Sequence, residues 1–184
     1  MRRAALALVT AAGIMPASAS TAEVVTVGVT HEDGIYHVTI EALLDAPRDA
    51  VFAVLTDYAR WADVNDMIEE SVVLEGATPA EQLVRTVAEG CALGFCKTFT
   101  QVQWMRASDG RRIDAEIVPE RSDMRSGWAK TELSDAGGRT RFRYEMSLEP
   151  DFWVPPLIGP WIIQRKLRAE SIQTAAAVEL AARP

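Results

Sequence analysis

Residues 149–168 read EPDFWVPPLIGPWIIQRKLR. An alternating strand ends at the head of this stretch, Pro155, Pro156, Gly159 and Pro160 turn the chain, and a long helix follows. Trp153, Trp161 and a run of aliphatics line the corner, and Arg165, Lys166 and Arg168 come directly after it. Set behind a series of strands, this is how a sheet closes onto one long terminal helix.

Working upstream, Arg139–Leu148 is the clearest strand. Thr140, Phe142, Tyr144, Met146 and Leu148 alternate with Arg141, Arg143 and Glu145, so the first set predicts a core face and the second a solvated one. Further strands are predicted at 72–74, 82–88, 98–105, 112–118 and 126–133, separated by turn residues such as Asp109-Gly110 and Gly137-Gly138. Another strand spans Ile35–Leu44, with Tyr36, Val38, Ile40, Ala42 and Leu44 on one side. Pro47 opens a helix whose apolar face is Val51, Phe52, Val54 and Leu55, with Asp45 or Ala46 near its cap. Trp61, Val64, Met67 and Ile68 then suggest a second short helix or a loop. Downstream, a helix starting at Pro156 or Pro160 runs to about Ala182, and Ile158, Ile162, Ala169, Ile172, Ala176 and Leu180 fall on one stripe. Glu170 reads as part of its solvated side, with Arg165, Lys166 and Arg168. The order of elements makes residues 34–183 one α+β domain, with residues 20–33 as a flexible lead-in or an edge strand.

The first residues belong to a different regime. Met1-Arg2-Arg3 is a short basic start, Ala4–Met15 is apolar, and Pro16-Ala17-Ser18-Ala19 supplies small residues for cleavage. Residues 1–19 therefore read as a signal peptide cut after Ala19, with Ala22 as the near alternative, which implies a periplasmic or secreted protein. The apolar run is shorter than the ~20 residues a spanning helix needs. Losing Arg2 and Arg3 takes 19 basic residues to 17 against 26 acidic ones, so the mature net charge is −9. That balance argues against nucleic acid as a partner, because phosphates need clustered Lys and Arg. Cys91 and Cys96 are the two cysteines, and an even pair in an exported chain favours a disulfide across a hairpin over a metal or redox role.

The layout carries a resemblance. Ala46-Pro47, the apolar helix through Leu55, Asp57-Tyr58 and Trp61, then Gly127-Trp128 and the run 138–144 (GRTRFRY), resemble the SRPBCC superfamily over roughly residues 33–182. That group includes the START lipid-transfer domains, the polyketide cyclases and dehydratases, and the coenzyme Q-binding proteins. The resemblance implies a helix-grip fold: a curved antiparallel sheet wrapped around a long C-terminal helix, two short helices after the first strand, and a ligand cavity between sheet and helix. An export signal sets this chain apart from most members of the group.

Candidate ligand contacts are Tyr58, Trp61, Trp104, Trp128, Phe152, Trp153 and Trp161. Plain core packing is the alternative for the tryptophans, and surface exposure a further one for Trp153. Arg121 and Arg125 are candidate clamps for an anionic head group, against ordinary hairpin charge. Residues 152–168 combine aromatics and aliphatics with basic side chains, as an interfacial membrane contact would; the alternative is a buried loop before a solvated helix. No nucleophile elbow, HExxH pair or phosphate loop is present, so no catalytic residue, metal or cofactor is assigned. Binding of a hydrophobic small molecule (lipid, quinone or similar) is thus expected ahead of catalysis. A cyclase or dehydratase acting on an aromatic or polycyclic substrate and an envelope interaction module are the alternatives.

Overall fold

The computed structural model describes residues 22–74, 78, 80–92, 95–154 and 159–183; the signal peptide and its cut at Ala19 lie outside them. Eight strands form one antiparallel sheet: β1 (Glu23–Glu32), β2 (Ile35–Leu44), β3 (Ile68–Val73), β4 (Glu81–Ala92), β5 (Phe95–Ser108), β6 (Arg112–Ile117), β7 (Met124–Ala136) and β8 (Arg139–Pro150). Their spatial order is β1-β2-β8-β7-β6-β5-β4-β3, so every hairpin neighbour pairs and β2 closes on β8. Helix α1 (Arg48–Thr56) and a 3₁₀ turn at Tyr58–Asp63 bridge β2 and β3, and α2 (Gly159–Ala182) ends the chain. This is the α+β helix-grip architecture: a curved sheet closed over one long terminal helix. Residues 23–32, read as a lead-in or an edge strand, form the edge strand β1.

Period-two alternation explains the central strands. Tyr36, Val38, Ile40, Ala42 and Leu44 are all buried, and across the ladder Thr140 and Phe142 are buried beside them. The opposite face of β8 carries Arg141 and Arg143, which both pair with Glu41 on β2. One face is core and the other is a solvated charge ladder, which fixes the register.

Two devices join the ends of the sheet to the helices. Pro47 itself is the N-cap residue of α1, and no side chain caps it. Asp45 does not cap that helix; its N–H donates to Glu179 Oε2 on α2 at 2.8 Å. Glu179 is 1% exposed and also pairs with Arg183 one turn on. On the far edge, Arg168 donates to the Val27 carbonyl of β1 at 2.6 Å and ties the helix to the outermost strand. At the tip of the β4–β5 hairpin Cys91 and Cys96 are directly opposed and joined in a disulfide, with Cα atoms 4.0 Å apart.

The face of α2 is the departure from sequence reading. Ala169, Ile172 and Leu180, expected inward, are exposed, whereas Glu170, Ala175, Val178, Glu179 and Ala182 are buried. Small residues at 175 and 182 let the helix sit close to the sheet, and each buried glutamate has a basic partner one turn away.

Gly127 marks a tight approach inside the sheet. A Cβ there would lie 2.9 Å from Ile117 Cγ1, 3.0 Å from Leu148 Cδ1 and 3.2 Å from the Ser147 carbonyl. Gly127→Ala is therefore expected to cost about 1–3 kcal/mol from overpacking, measurable as a lower urea midpoint at unchanged m-value. An unchanged midpoint would show that the neighbouring strands yield freely at this point.

Candidate functional site

Two buried clusters support α2 and the sheet. The first joins Ala175, Val178 and Ala182 of the helix to Ile40, Ala42, Leu44, Val51, Leu133 and Phe142. The second gathers Tyr58, Val84, Met105, Ile113 and Ala115 beneath the 3₁₀ turn. Residues of both clusters bound a cavity of about 270 Å³ between the concave sheet face and α2. The middle of the sheet leaves this space because its facing residues are small: Ala115 on β6 stands directly opposite Ala129 on β7, and both line the cavity.

Most of the wall is apolar. Phe99, Ile113, Ile117, Phe142, Tyr144, Met146 and Leu148 come from the strands, and Trp61, Met67 and Leu167 close over them. Trp61 is held by its own indole, which donates to the Leu55 carbonyl at 3.1 Å, and by edge-to-face contact with Tyr58 at 5.2 Å. The Tyr144 hydroxyl donates to Met146 Sδ at 3.2 Å. Desolvation pushes the phenols of Tyr144 and Tyr58 up to about 12, so both are protonated at neutral pH and neither acts as a base there.

Polar groups line both the helix side and the strand side of the cavity. Asn65 Nδ2 donates to Thr174 Oγ1 at 3.1 Å, while its Oδ1 accepts the Met67 N–H at 3.0 Å. The Ser171 hydroxyl donates back to the Leu167 carbonyl at 2.7 Å. Glu170 is 7% exposed and takes Lys166 Nζ on Oε1 at 3.0 Å. Gln101, Gln103, Thr86 and Thr131 add amides and hydroxyls from the strands.

The structure distributes the candidate residues over three locations. Trp61 and Trp128 line the cavity, although Trp128 is 42% exposed and carries Lys130 Nζ 5.3 Å above its ring. Tyr58 is buried behind Trp61, and the Phe152 ring lies tilted 6.1 Å from that of the lining residue Phe99, beneath Lys97; both stand one contact away from the wall. Trp104 is not among the lining residues, because its strand neighbours Gln103 and Met105 are the ones that face inward. Trp153 and Trp161 are 79% and 63% exposed, and Arg165 lies 5.8 Å from the Trp161 ring. Arg125 is spent on the outer surface, bonding Asp151 at 2.8 Å and approaching Glu149 at 3.5 Å. Arg121 is exposed in the short 3₁₀ turn Pro119–Arg121. Both sulfurs of Cys91 and Cys96 are engaged in the disulfide, which leaves neither as a thiolate ligand beside Glu89.

Sequence reasoning missed Glu170, Asn65 and Thr174. For Glu170 and Thr174 the signal was present in the spacing Leu167, Glu170, Ser171, Thr174, Ala175, Val178, Ala182, a continuous i+3/i+4 face; Asn65, on the segment before β3, had none. That signal was masked because the glutamate reads as solvated and Ile172 and Leu180 read as core.

With this geometry the comparisons agree. The crystal structure of the Zhui aromatase/cyclase from a Streptomyces species superposes with a TM-score of 0.67 at 18% identity, over 80% of this chain and 93% of that one. A STAR-related lipid transfer protein from Xanthomonas axonopodis gives 0.66 at 18% identity, over 86% and 99%. A START superfamily protein from Mycobacterium smegmatis gives 0.58 at 16% identity, over 79% and 96%. At these identities the likeness is one of fold. No curated protein matches the chain in sequence. The family model for polyketide cyclase/dehydrase and lipid transport proteins matches residues 36–180, from the first inward residue of β2 to the last turn of α2, and the chain belongs to that family, within the SRPBCC superfamily.

Proposed function

We propose that the chain binds and carries one hydrophobic small molecule (a lipid, quinone or similar) in the cavity between sheet and α2, after export to the periplasm or beyond. The observation that carries this reading is the hollow itself, about 270 Å³ with mostly apolar walls, set where the sheet's small residues face each other. That volume is just below the ~300–1,000 Å³ of typical small-molecule sites, which suits a compact or single-chain ligand. Burial of its apolar surface at about 25 cal/mol per Å² supplies the affinity. The described walls present many apolar side chains and few fixed charges, as cargo binding requires.

Residues 152–168 extend this proposal to the place of loading. The exposed rings of Trp153 and Trp161 beside Arg165 and Arg168 have the chemistry of a peripheral contact with a lipid surface. No described helix is long and apolar enough to cross a membrane. One observation favours the enzymatic alternative, a cyclase or dehydratase: a carboxyl group, Glu170, stands buried on the wall. A dehydratase releases its bound molecule with the loss of one water, whereas a carrier returns it unchanged.

Native mass spectrometry of protein purified from its own periplasmic fraction is the direct test. A single co-purifying apolar molecule at one per chain, with the chain beginning at Ser20, is the expected result; empty protein under detergent-free conditions would count against it. Ala129→Leu, which fills the hollow, is expected to weaken binding of the extracted ligand at least tenfold while the circular dichroism spectrum is retained. Equal affinity would place the ligand elsewhere. In vesicle flotation with anionic lipid, Trp153→Ala combined with Trp161→Ala is expected to lower the bound fraction several-fold. Flotation unchanged by the pair, or absent in the parent protein, removes the membrane contact and leaves these rings to a protein partner in the envelope.

A further inference from the structure

A polar patch on the sheet wall of the cavity holds hydrogen-bonding capacity that the protein itself does not use. From β4 and β5 the wall takes Thr86, Ala88, Phe99, Gln101, Gln103 and Met105, none of them charged. Thr86 stands directly opposite Gln101 across the ladder, and Gln103 is the next inward residue of β5, so the three side chains share one face. None of the three has a hydrogen-bond partner among the described residues. Across the cavity, by contrast, Asn65 bonds Thr174 and the Met67 amide, and Ser171 bonds its own helix. Access separates the patch from other unpaired groups. Among the described residues, the side-chain oxygens both sealed from solvent and unpartnered are those of Tyr36 and Tyr58 and Glu170 Oε2. The Thr86 hydroxyl is unpartnered but not sealed, although the residue is only 2% exposed, so the little surface it keeps opens on the cavity it lines. Thr131 adds a single hydroxyl on β7, set between Ile113 and Tyr144 in the register. Polar groups in such a setting are completed by water or by a ligand, because leaving them unpaired costs stability.

Resting on the cargo binding proposed above, we infer that the polar end of the ligand is an uncharged oxygen acceptor, a ketone or ester carbonyl, and that it docks on Thr86, Gln101 and Gln103 while the apolar remainder lies over Ala115 and Ala129. Each amide offers two donors and the hydroxyl one, so all three side chains can serve the same acceptor. None can neutralise an ion, and a carboxylate or ammonium would give up its hydration here without a counter-charge. The charged lining residue, Glu170, does not supply one: Lys166 takes its Oε1, and its Oε2 is sealed. The register supports the orientation. Ala115 stands opposite Met105, one inward position along β5 from Gln103, and Ala129 stands opposite Ala115. One inward step is about 7 Å of strand, so the patch for the head adjoins the hollow for the tail. A volume of about 270 Å³ admits a single chain or a small ring.

Three ten-carbon probes separate the head groups: methyl octyl ketone, decanoate and decylammonium, titrated into mature protein at neutral pH by calorimetry. The ketone is expected to bind roughly tenfold or more tighter than either ion. Its isotope-labelled carbonyl reports the bond itself: the infrared band of the bound ketone is expected at lower frequency than in hexane. In the combined variant Thr86→Val, Gln101→Met, Gln103→Met the band is expected to return toward its position in hexane, and the ketone to bind roughly tenfold more weakly. A bound ketone whose band stays at the hexane position in the wild-type protein would overturn the inference and leave the apolar-cargo reading intact. A shifted band and an affinity that the combined variant leaves unmoved would also overturn it, placing the carbonyl on another donor. Tightest binding of either ion would overturn the uncharged head. Binding of none of the three would remove the cargo reading and this inference together. Should the combined variant not fold, Thr86→Val alone, which keeps the shape of the side chain, gives the same readout.

Discussion

The interior depends on one long helix that touches the sheet fully at one end only. Along its second half, α2 shares through Ala175, Val178 and Ala182 one buried cluster with residues of α1, β2, β7 and β8, and Glu179 locks that end to the Asp45 amide. Toward its first half the same helix presents Leu167, Glu170, Ser171 and Thr174 to open space. The cavity is thus the hollow end of a grip whose other end is solid. Because α2 runs as one element over 24 residues, the packing of its C-terminal end and the Arg168 bond to the Val27 carbonyl together set how far its N-terminal end stands off.

Much of the architecture was readable from period-two alternation. The inward set of β2 was predicted residue for residue; in β8 Thr140 and Phe142 are buried and Tyr144, Met146 and Leu148 line the cavity, where Ser147 joins them. The face of α2 was not readable in the same way. Its apolar residues are spread around the helix, and Ile172 and Leu180 compete with smaller residues for the inward position. The smaller ones prevail because a helix seated on a curved sheet gains more from close approach by alanine than from bulk that holds it away. Glu170 and Glu179 follow that face inward, each with a cation one turn along the helix.

The cavity had to stay hidden in the sequence for a different reason. A hollow is made by what is small across a pairing, and Ala115 meets Ala129 only once the β6–β7 register is known. Conversely, the tryptophans are conspicuous in the sequence but divide between wall and surface. Trp61 is drawn to the wall by its bond to the Leu55 carbonyl, whereas Trp153 and Trp161 are exposed and lie outside both buried clusters.

The hollow also bears on stability. The space between sheet and helix is packing that the fold does not make for itself. Water recovers little of it on apolar walls, where it finds few partners. A bound apolar molecule recovers more, and by mass action every decade of ligand above its dissociation constant adds about 1.4 kcal/mol to the folded state. On the cargo role proposed above, the bound molecule substitutes for missing core, so occupancy and folding stability are coupled through the same walls.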